Sequence, residues 1–510
     1  MLRVLLIKPP YSRLKRLGQA PYFPLGLGYL AAVLEKTGYE VRIYHAENPR
    51  NPEESIIEDE EAIFHQRSMS QKRYYDAVSD NDHMVWKEVR QTVDDFKPDI
   101  VGISVLTVEV PSALRISRIC KEYNPEMPVV WGGVHPSFLP EPSLKYDQVD
   151  LVVRGEGEMT FLEVCKKLEH GDRDLSGING ISYKKDGTVY HNPARPLIKE
   201  IDTIPFPANH LILYPESFNH KSMGSMIVSR GCPWRCSFCS SRLFWEKKLR
   251  MRSPENMIEE IRTLKERYNL KYIMFWDDSF SVQKKIVLRY CKSLVDAKLD
   301  VVWRTATRAD LVDDELLFWM KKAGCVKLEI GVETGSPRMQ EIIRKDITND
   351  LVRKAFDKIK SHGIATGAFF MAGFPEETPE DMELTFSLMK GLNIEEIAYN
   401  IFDPMPGSDL MDRCVELELI RRDPDWSQFR FWPDNHFMKY MNPEEFNARA
   451  IEIGNWVYTY NNSFAVKFRK VKALIWFYIL HDPFELVRKT AHYLKRRWDV
   501  RSERSISKVS

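Results

Sequence analysis

The chain has no long apolar run. No stretch reaches the ~20 consecutive apolar residues that a bilayer-spanning helix needs, so no segment reads as a membrane span. It has no strong charge of either sign. Lys and Arg number 74 against 73 Asp and Glu, a net charge of +1, so nothing global calls for nucleic acid as a partner. Cysteine is scarce, at eight in 510 residues. That is too few for a disulfide framework and fits a reducing, cytoplasmic setting. No cleavable signal is visible, because Met1-Leu-Arg-Val-Leu-Leu-Ile-Lys8 is a short apolar run that leads straight into Pro9-Pro10. Internal repeats and low-complexity segments are absent. The length suggests roughly two to four domains, and 44% hydrophobic residues supply several cores.

Three of the eight cysteines stand together, Cys232, Cys236 and Cys239, in Ser229-Arg-Gly-Cys-Pro-Trp-Arg-Cys-Ser-Phe-Cys-Ser240. Three thiolates at C-x3-C-x2-C spacing on one loop suit three irons of a cubane cluster. Such clusters usually take four cysteines, so a set of three leaves one iron open to substrate or cofactor. The competing readings are a zinc knuckle and buried structural thiols. Structural zinc takes four ligands, usually as two pairs, and no fourth Cys or His lies near in sequence. Cys120, Cys165, Cys291, Cys325 and Cys414 are scattered and read as core thiols.

The loop follows an apolar strand (Met226-Ile-Val228) and opens at Gly231. In this context the chain resembles the radical S-adenosylmethionine (SAM) superfamily over about residues 225–410. Strand and helix alternate six times there, from Met226 through Tyr272-Ile-Met-Phe275, Val301-Val-Trp303, Val326-Lys-Leu-Glu-Ile330, Ala368-Phe-Phe-Met371 and Ile397 to Ile401. This predicts a partial (β/α)6 barrel with functional groups at the carboxyl ends of its strands. The resemblance implies a 4Fe–4S cluster on the three cysteines. It implies reductive cleavage of SAM to methionine and a 5′-deoxyadenosyl radical, with an external donor such as flavodoxin or ferredoxin. It places the methionine ammonium near Asp277 or Asp278, the ribose near Glu333 with Ser336 as a weaker candidate, and the adenine against Phe238 and the turn of Gly373 and Pro375. Arg304 and Arg308 are candidates for the SAM carboxylate, since arginine binds carboxylates in a fork; surface salt bridges are the competing fate.

Residues 1–190 read as a doubly wound parallel sheet: short apolar strands (Val4-Leu-Leu-Ile7, Val41-Arg-Ile-Tyr44, Ile100-Val-Gly-Ile-Ser104, Val129-Val-Trp131, Leu151-Val-Val153) separated by helices. Ligands bind beyond the carboxyl ends of such strands. That edge collects Lys8-Pro-Pro-Tyr11, His45, Val105-Leu-Thr107, Gly132-Gly133 with His135, and Gly155-Glu156-Gly157. Pro24-Leu-Gly-Leu-Gly-Tyr-Leu30, Gly132-Gly-Val-His-Pro136 and Val153-Arg-Gly-Glu-Gly-Glu158 resemble the cobalamin-binding domain that precedes the barrel in one large radical SAM subfamily. The resemblance implies cobalamin as a further cofactor, near Gly132, Gly133, His135, Gly155, Glu156 and Gly157. The D-x-H-x-x-G loop that supplies a cobalt ligand in many cobalamin proteins is absent. Residues 191–224, dense in proline, read as a linker.

Residues 411–510 read as a helical, aromatic-rich C-terminal domain closing the barrel mouth, with a basic excess after about 464. That tail reads either as a peripheral membrane contact or as a docked helix with a basic end. The two-domain resemblance implies methylation of an unactivated carbon of a small-molecule or lipid-like substrate. The alternative is oxidative cyclisation or coupling without methyl transfer. A methylthiolating RNA enzyme is set aside, because only Cys120 and Cys165 occur where a second cluster would need ligands.

Overall fold

The computed structural model describes residues 2–15, 22–50, 64–218 and 220–471. The N-terminal region is built on one sheet with strand order β2-β1-β3-β4-β5-β6-β7. Its first five strands, β1 (Arg3–Lys8), β2 (Glu40–His45), β3 (Ile100–Ser104), β4 (Val129–Gly132) and β5 (Leu151–Val153), run parallel. They are covered on both faces, as their unbroken apolar runs require: alternate residues Val4 and Leu6 enter one core, and Leu5 and Ile7 another. The sequence-based expectation of a wholly parallel sheet is incomplete. β6 (Ile181–Lys185) and β7 (Thr188–His191) extend the sheet antiparallel beyond β5. The linker that follows is partly a structural strap, since Ile201, Ile204, Leu211 and Ile212 bury themselves in the same core as Val4 and Leu6.

The second region is a six-stranded, all-parallel open barrel. Its order is β15-β14-β13-β12-β11-β8, so every strand neighbours the next in sequence. The strands are β8 (Ser225–Met226), β11 (Tyr272–Phe275), β12 (Val302–Thr307), β13 (Cys325–Glu333), β14 (Ala365–Ala372) and β15 (Glu396–Ile401). Between β8 and β11 a two-residue ladder of β9 (Ser229–Arg230) with β10 (Arg250–Met251) closes the base of the cysteine loop. Burial alternates along the strands. Trp303, Leu328, Ile330, Ala368 and Phe370 join the helix-side core. The opposite, concave face carries a charge ladder: Lys327 reaches Glu329 (2.9 Å) and Glu396 (3.1 Å), and Arg304 lies 3.8 Å from Glu329.

The helices start where the sequence places caps. Ser253 accepts a hydrogen bond from the Asn256 N–H, with Pro254 in the first turn of Pro254–Tyr268. Thr378 and Asp381 form a capping box on Pro379–Gly391. The C-terminal region departs from the helical expectation. Helices Asp409–Glu416 and Pro443–Asn462 flank a stretch, 417–442, that contains no helix. Its Trp426, Phe429, Phe431 and Phe437 are buried in a single core shared with Leu5, Ile7 and Trp131 of the N-terminal sheet and with Phe374 and Phe402 of the barrel. The three regions are therefore joined by continuous apolar packing, which makes interdomain geometry part of the fold. Among the described residues no helix is long and apolar enough to cross a membrane. Most of the basic tail lies outside the described residues.

Candidate functional site: a three-thiol loop between two strand edges

The cysteine loop is fixed at both ends by backbone chemistry. Gly231 has φ +103°, and a Cβ there would sit 1.9 Å from the Lys248 carbonyl oxygen, so only glycine fits. Within the loop, Ser237 N–H donates to the Ile343 carbonyl (2.9 Å) and Ser237 C=O accepts from Leu410 N–H (2.9 Å). The loop is thus tied to the barrel after both β13 and β15. All eight cysteines are free; Cys232, Cys236 and Cys239 are half-exposed and the other five are buried. The Cys232 and Cys239 thiols are pushed up, Cys239 to about 11, first by desolvation and further by Asp278 and the neighbouring thiols. Three thiols that feel one another, with no fourth at hand, fit a cluster with one open iron.

Around this loop the structure sorts the expected SAM residues. Asp278 is exposed in the mouth, where it accepts from Ser241 Oγ (2.6 Å) and interacts with the Trp245 side chain. Asp277, the other candidate for the ammonium, is not available. Its carboxylate is buried and accepts from Val228 N–H, Ser229 N–H (2.6 Å) and Ser229 Oγ (2.5 Å). Desolvation lifts its pKa to about 7 against those bonds, and it braces the strand that leads into the cysteines. Glu333 ends β13 in the left-handed region (φ +68°) and pairs with Lys345 at 2.8 Å. Both charged groups lie over Gly331, whose Cβ would come within 2.5 Å of Glu333 Oε1 and 2.9 Å of Lys345 Nζ. Phe238 faces Phe374 (centroids 6.3 Å) with Lys345 Nζ 5.8 Å above its ring, so it does meet the turn of Gly373 (φ +90°). That turn is held by Glu377, which accepts from Gly373 N–H (2.5 Å) and whose burial lifts it to about 8.

Three other expectations are corrected. Ser336 caps the helix Pro337–Ile342, accepting from Met339 N–H, and donates to Asp381; its hydroxyl is consumed locally. Arg304 belongs to the charge ladder of the concave face and contacts Met274 Sδ and Tyr22 rather than the cysteine loop. Arg308 does reach the loop, but its guanidinium is held in a fork by Asp310 (2.9 and 3.2 Å) and donates to the Lys345 carbonyl (2.8 Å). No free fork is left for a second carboxylate.

The N-terminal sheet presents its carboxyl edge to this mouth. Gly407 of the barrel leaves room for the Phe138 ring, 2.5 Å from where a Cβ would sit. Lys8 at the end of β1 pairs with Glu109 (2.5 Å). The edge itself exposes Leu106, and a Cβ on Gly155 (φ +71°) would meet nothing within 4 Å. Gly133 is different, since a Cβ there would press the Val105 backbone at 3.1 Å. Gly132 and Gly157 make ordinary or slightly tight contacts. A bare apolar residue beside open backbone fits the face of a corrin ring. The two histidines do not face it. His135 is fully buried, with Nδ1 3.3 Å from Thr107 Oγ1 and its ring edge-on to Trp426, and burial lowers it to about 3. His45 packs on Phe218 and accepts from Glu47 N–H. Glu156, expected at the cofactor, instead forms the link between domains. It receives Arg230 Nη1 (2.6 Å), Arg250 Nη1 (2.8 Å) and the Ile198 N–H (2.7 Å), while Glu158 takes the other end of Arg230 (2.6 Å). Arg230 lies two residues before Cys232, so a buried ion network joins the sheet to the cysteine loop.

Sequence reading missed Lys345, Arg230, Glu158 and Asp403, whose partners lie 12 to 74 residues away, and Glu377, whose role follows from its burial in the Gly373 turn. Asp403, just past β15, accepts from Trp432 N–H (3.2 Å) and faces Lys15 and Tyr11 across the domain boundary. Desolvation, opposed by that bond and by Lys15, lifts it to about 7.

Comparison with known proteins agrees with this geometry. Residues 226–389 match the radical SAM superfamily and residues 19–165 match the B12 binding domain. A protein of Pyrococcus horikoshii described as an uncharacterized methyltransferase is 33% identical over 423 residues, covering 82% of this chain and 84% of that one. The anaerobic magnesium-protoporphyrin IX monomethyl ester cyclase of Rubrivivax gelatinosus is 32% identical over 333 residues, 63% of this chain and 60% of that one. The solved radical S-adenosylmethionine methyltransferase TsrM of Kitasatospora setae, with tryptophan and a SAM analogue bound, has a TM-score of 0.67 at 16% identity, covering 97% of this chain and all of that one; at that identity the likeness is one of fold. With a B12-binding sheet set edge to edge against the three-thiol mouth of a barrel, the chain belongs to the cobalamin-binding radical SAM enzymes, whose cofactors are a 4Fe–4S cluster, SAM and cobalamin.

Proposed function

We propose that the protein methylates an unactivated carbon of a hydrophobic, natural-product-like small molecule. The observation that carries this reading is the meeting of the two strand edges. The exposed Leu106 edge and the cysteine mouth flank a boundary packed with Tyr11, Tyr75 and Phe429. When bound, the cofactors supply a carbon-centred radical and a transferable methyl group. The chain's own residues orient and shield. Asp278 meets the SAM ammonium, Glu333 the ribose, and Phe238 with the Gly373 turn the adenine. The aromatic stretch 417–442 excludes water from the mouth. Leu106 and the open backbone at Gly155 would hold the face of the corrin. Asp403 takes a polar group of the substrate.

A flavodoxin or ferredoxin delivers the electron in a cytoplasmic setting. The basic tail is the part suited to a peripheral membrane contact if the substrate is lipid-like. A second reading, oxidative cyclisation or coupling, draws on the likeness to the Rubrivivax cyclase.

The test is anaerobic reconstitution, quantification of iron, sulfide and cobalamin, and incubation with methyl-labelled SAM and a panel of tetrapyrroles, isoprenoid lipids and peptides. A labelled product supports methylation. A dehydrogenated or cyclised product without label transfers the assignment to the second reading.

A further inference from the structure

The three thiols do not share one electrostatic environment. Arg308, buried just past β12, aims Nη1 at Cys236 Sγ from 4.0 Å, and its guanidinium lies 4.6 Å above the ring of Trp234, itself in the loop. Lys345 approaches the same side: its carbonyl accepts from Arg308 and its ammonium sits over Phe238. Both cations favour the Cys236 thiolate. The opposite side carries Asp278, which acts against the anions of Cys232 and Cys239. Each cation has its own carboxylate, Asp310 for Arg308 and Glu333 for Lys345. Asp310 is held by the Nε and Nη2 side of the guanidinium, leaving Nη1 toward the sulfur. Glu333 opposes the two cations at Cys236 and Arg308 also reaches Cys232, but the cations act chiefly at Cys236 and Asp278 acts at the other two thiols, so the field across the cluster is uneven.

We propose that Arg308 is a positioning residue that sets the cluster's reduction potential through Cys236, rather than a ligand for the SAM carboxylate. The inference rests on the three-thiolate cluster assigned above. Reduction adds one electron, taken from a low-potential one-electron donor, and leaves every ligand bond in place. A fixed cation at about 4 Å, in a site from which water is partly excluded, stabilises the extra negative charge by several times the thermal energy. Net charge and hydrogen bonds to the sulfurs are the protein's levers on such potentials. The ring of Trp234 beneath the guanidinium keeps Arg308 and the loop in register.

The experiment is a potentiometric titration of the full chain, reconstituted anaerobically with iron and sulfide and followed by the electron paramagnetic resonance of the reduced cluster, without SAM. Arg308→Gln shifts the one-electron equilibrium toward the oxidised form by tenfold or more, equivalent to about 59 mV. Arg308→Lys, which keeps the charge but loses the fork, lies closer to the unmodified protein. Asp310→Asn, which unmasks the Arg308 charge, moves the potential the other way. An Arg308→Gln protein with full iron and sulfide and an unchanged potential overturns the proposal, as does an Asp310→Asn shift of zero or of the same sign as Arg308→Gln. If Arg308→Gln takes up no cluster, the Asp310→Asn result alone decides by the same criterion. Failure of the unmodified chain to hold a cluster overturns both this proposal and the cluster itself.

Discussion

The barrel mouth and the carboxyl edge of the N-terminal sheet face each other, yet they are built on opposite principles. At the mouth nearly every polar group is committed: Asp277 to the backbone of 228–229, Glu333 to Lys345, Arg308 to Asp310. At the sheet edge the histidines turn away, Leu106 stands bare and Gly155 opens onto space. The mouth must fix sulfur donors against a metal cluster and a charged sulfonium, and fixed donors need braces. The edge offers an apolar side chain and open backbone, which suit a large flat ring.

Four substitutions sharpen or break this contrast. Cys236→Ala has the largest expected effect. Reductive SAM cleavage falls to background and the bound iron is lost, while cobalamin content by absorbance stays near that of the unmodified protein. Loss of both cofactors together would mean that the two surfaces are not independent. Arg230→Met tests the link between them. It strands Glu158 as a buried carboxylate and leaves Glu156 to Arg250 and the Ile198 N–H, and breaking a buried pair from one side costs ~3–5 kcal/mol. Calorimetry should show a lower Tm and separate transitions for the two regions; a single unshifted transition would remove the ion network from the account.

Leu106→Glu comes next. Burying Leu against a ligand contributes ~1.5–3 kcal/mol, so cobalamin binding weakens roughly ten- to hundredfold by equilibrium dialysis while iron content holds. Unaltered affinity would move the corrin elsewhere on the edge. The smallest effect is expected for Asp403→Asn, and it depends on pH. The carboxyl ionises near 4 in the unfolded chain and near 7 when folded. Between these values the folded state keeps a proton that the unfolded chain has lost. Stability therefore falls as pH rises from 4 to 7 and stays lowered above. Asparagine removes that penalty, so the variant gains ~2–4 °C in Tm at pH 8 relative to the unmodified protein and little at pH 4. An equal change at both values would deny the raised pKa.

The sheet edge and the mouth also differ in how far they could be read in advance. The thiol loop was legible because its chemistry is local: C-x3-C-x2-C after an apolar strand with Gly231 at the turn. The barrel strands were legible for a similar reason, since a parallel strand buried on the helix side leaves a short apolar run and each is followed by a helix. The roles of single charged residues were not. Asp277 and Asp278 are neighbours in sequence and indistinguishable there, yet one is a buried brace and the other an open carboxylate. Glu156 looked like part of a glycine-rich cofactor turn, and its partners Arg230 and Arg250 lie 74 and 94 residues away. The antiparallel extension β6–β7 was hidden because its strands are short and half polar.

The sequence by itself determined the class of chemistry and the order of the parts: a parallel sheet, a strap, a barrel opening on three cysteines. The order of the parts follows from spacing and periodicity, which are properties of neighbouring residues, and the class of chemistry from the family resemblance that the cysteine motif carries. Only the tertiary structure decided which carboxylate is exposed, which arginine approaches a thiol, and that an irregular aromatic stretch rather than a helix packs between the N-terminal sheet and the barrel. Those outcomes depend on charges and rings brought together from distant segments, where burial penalises any group left without a partner.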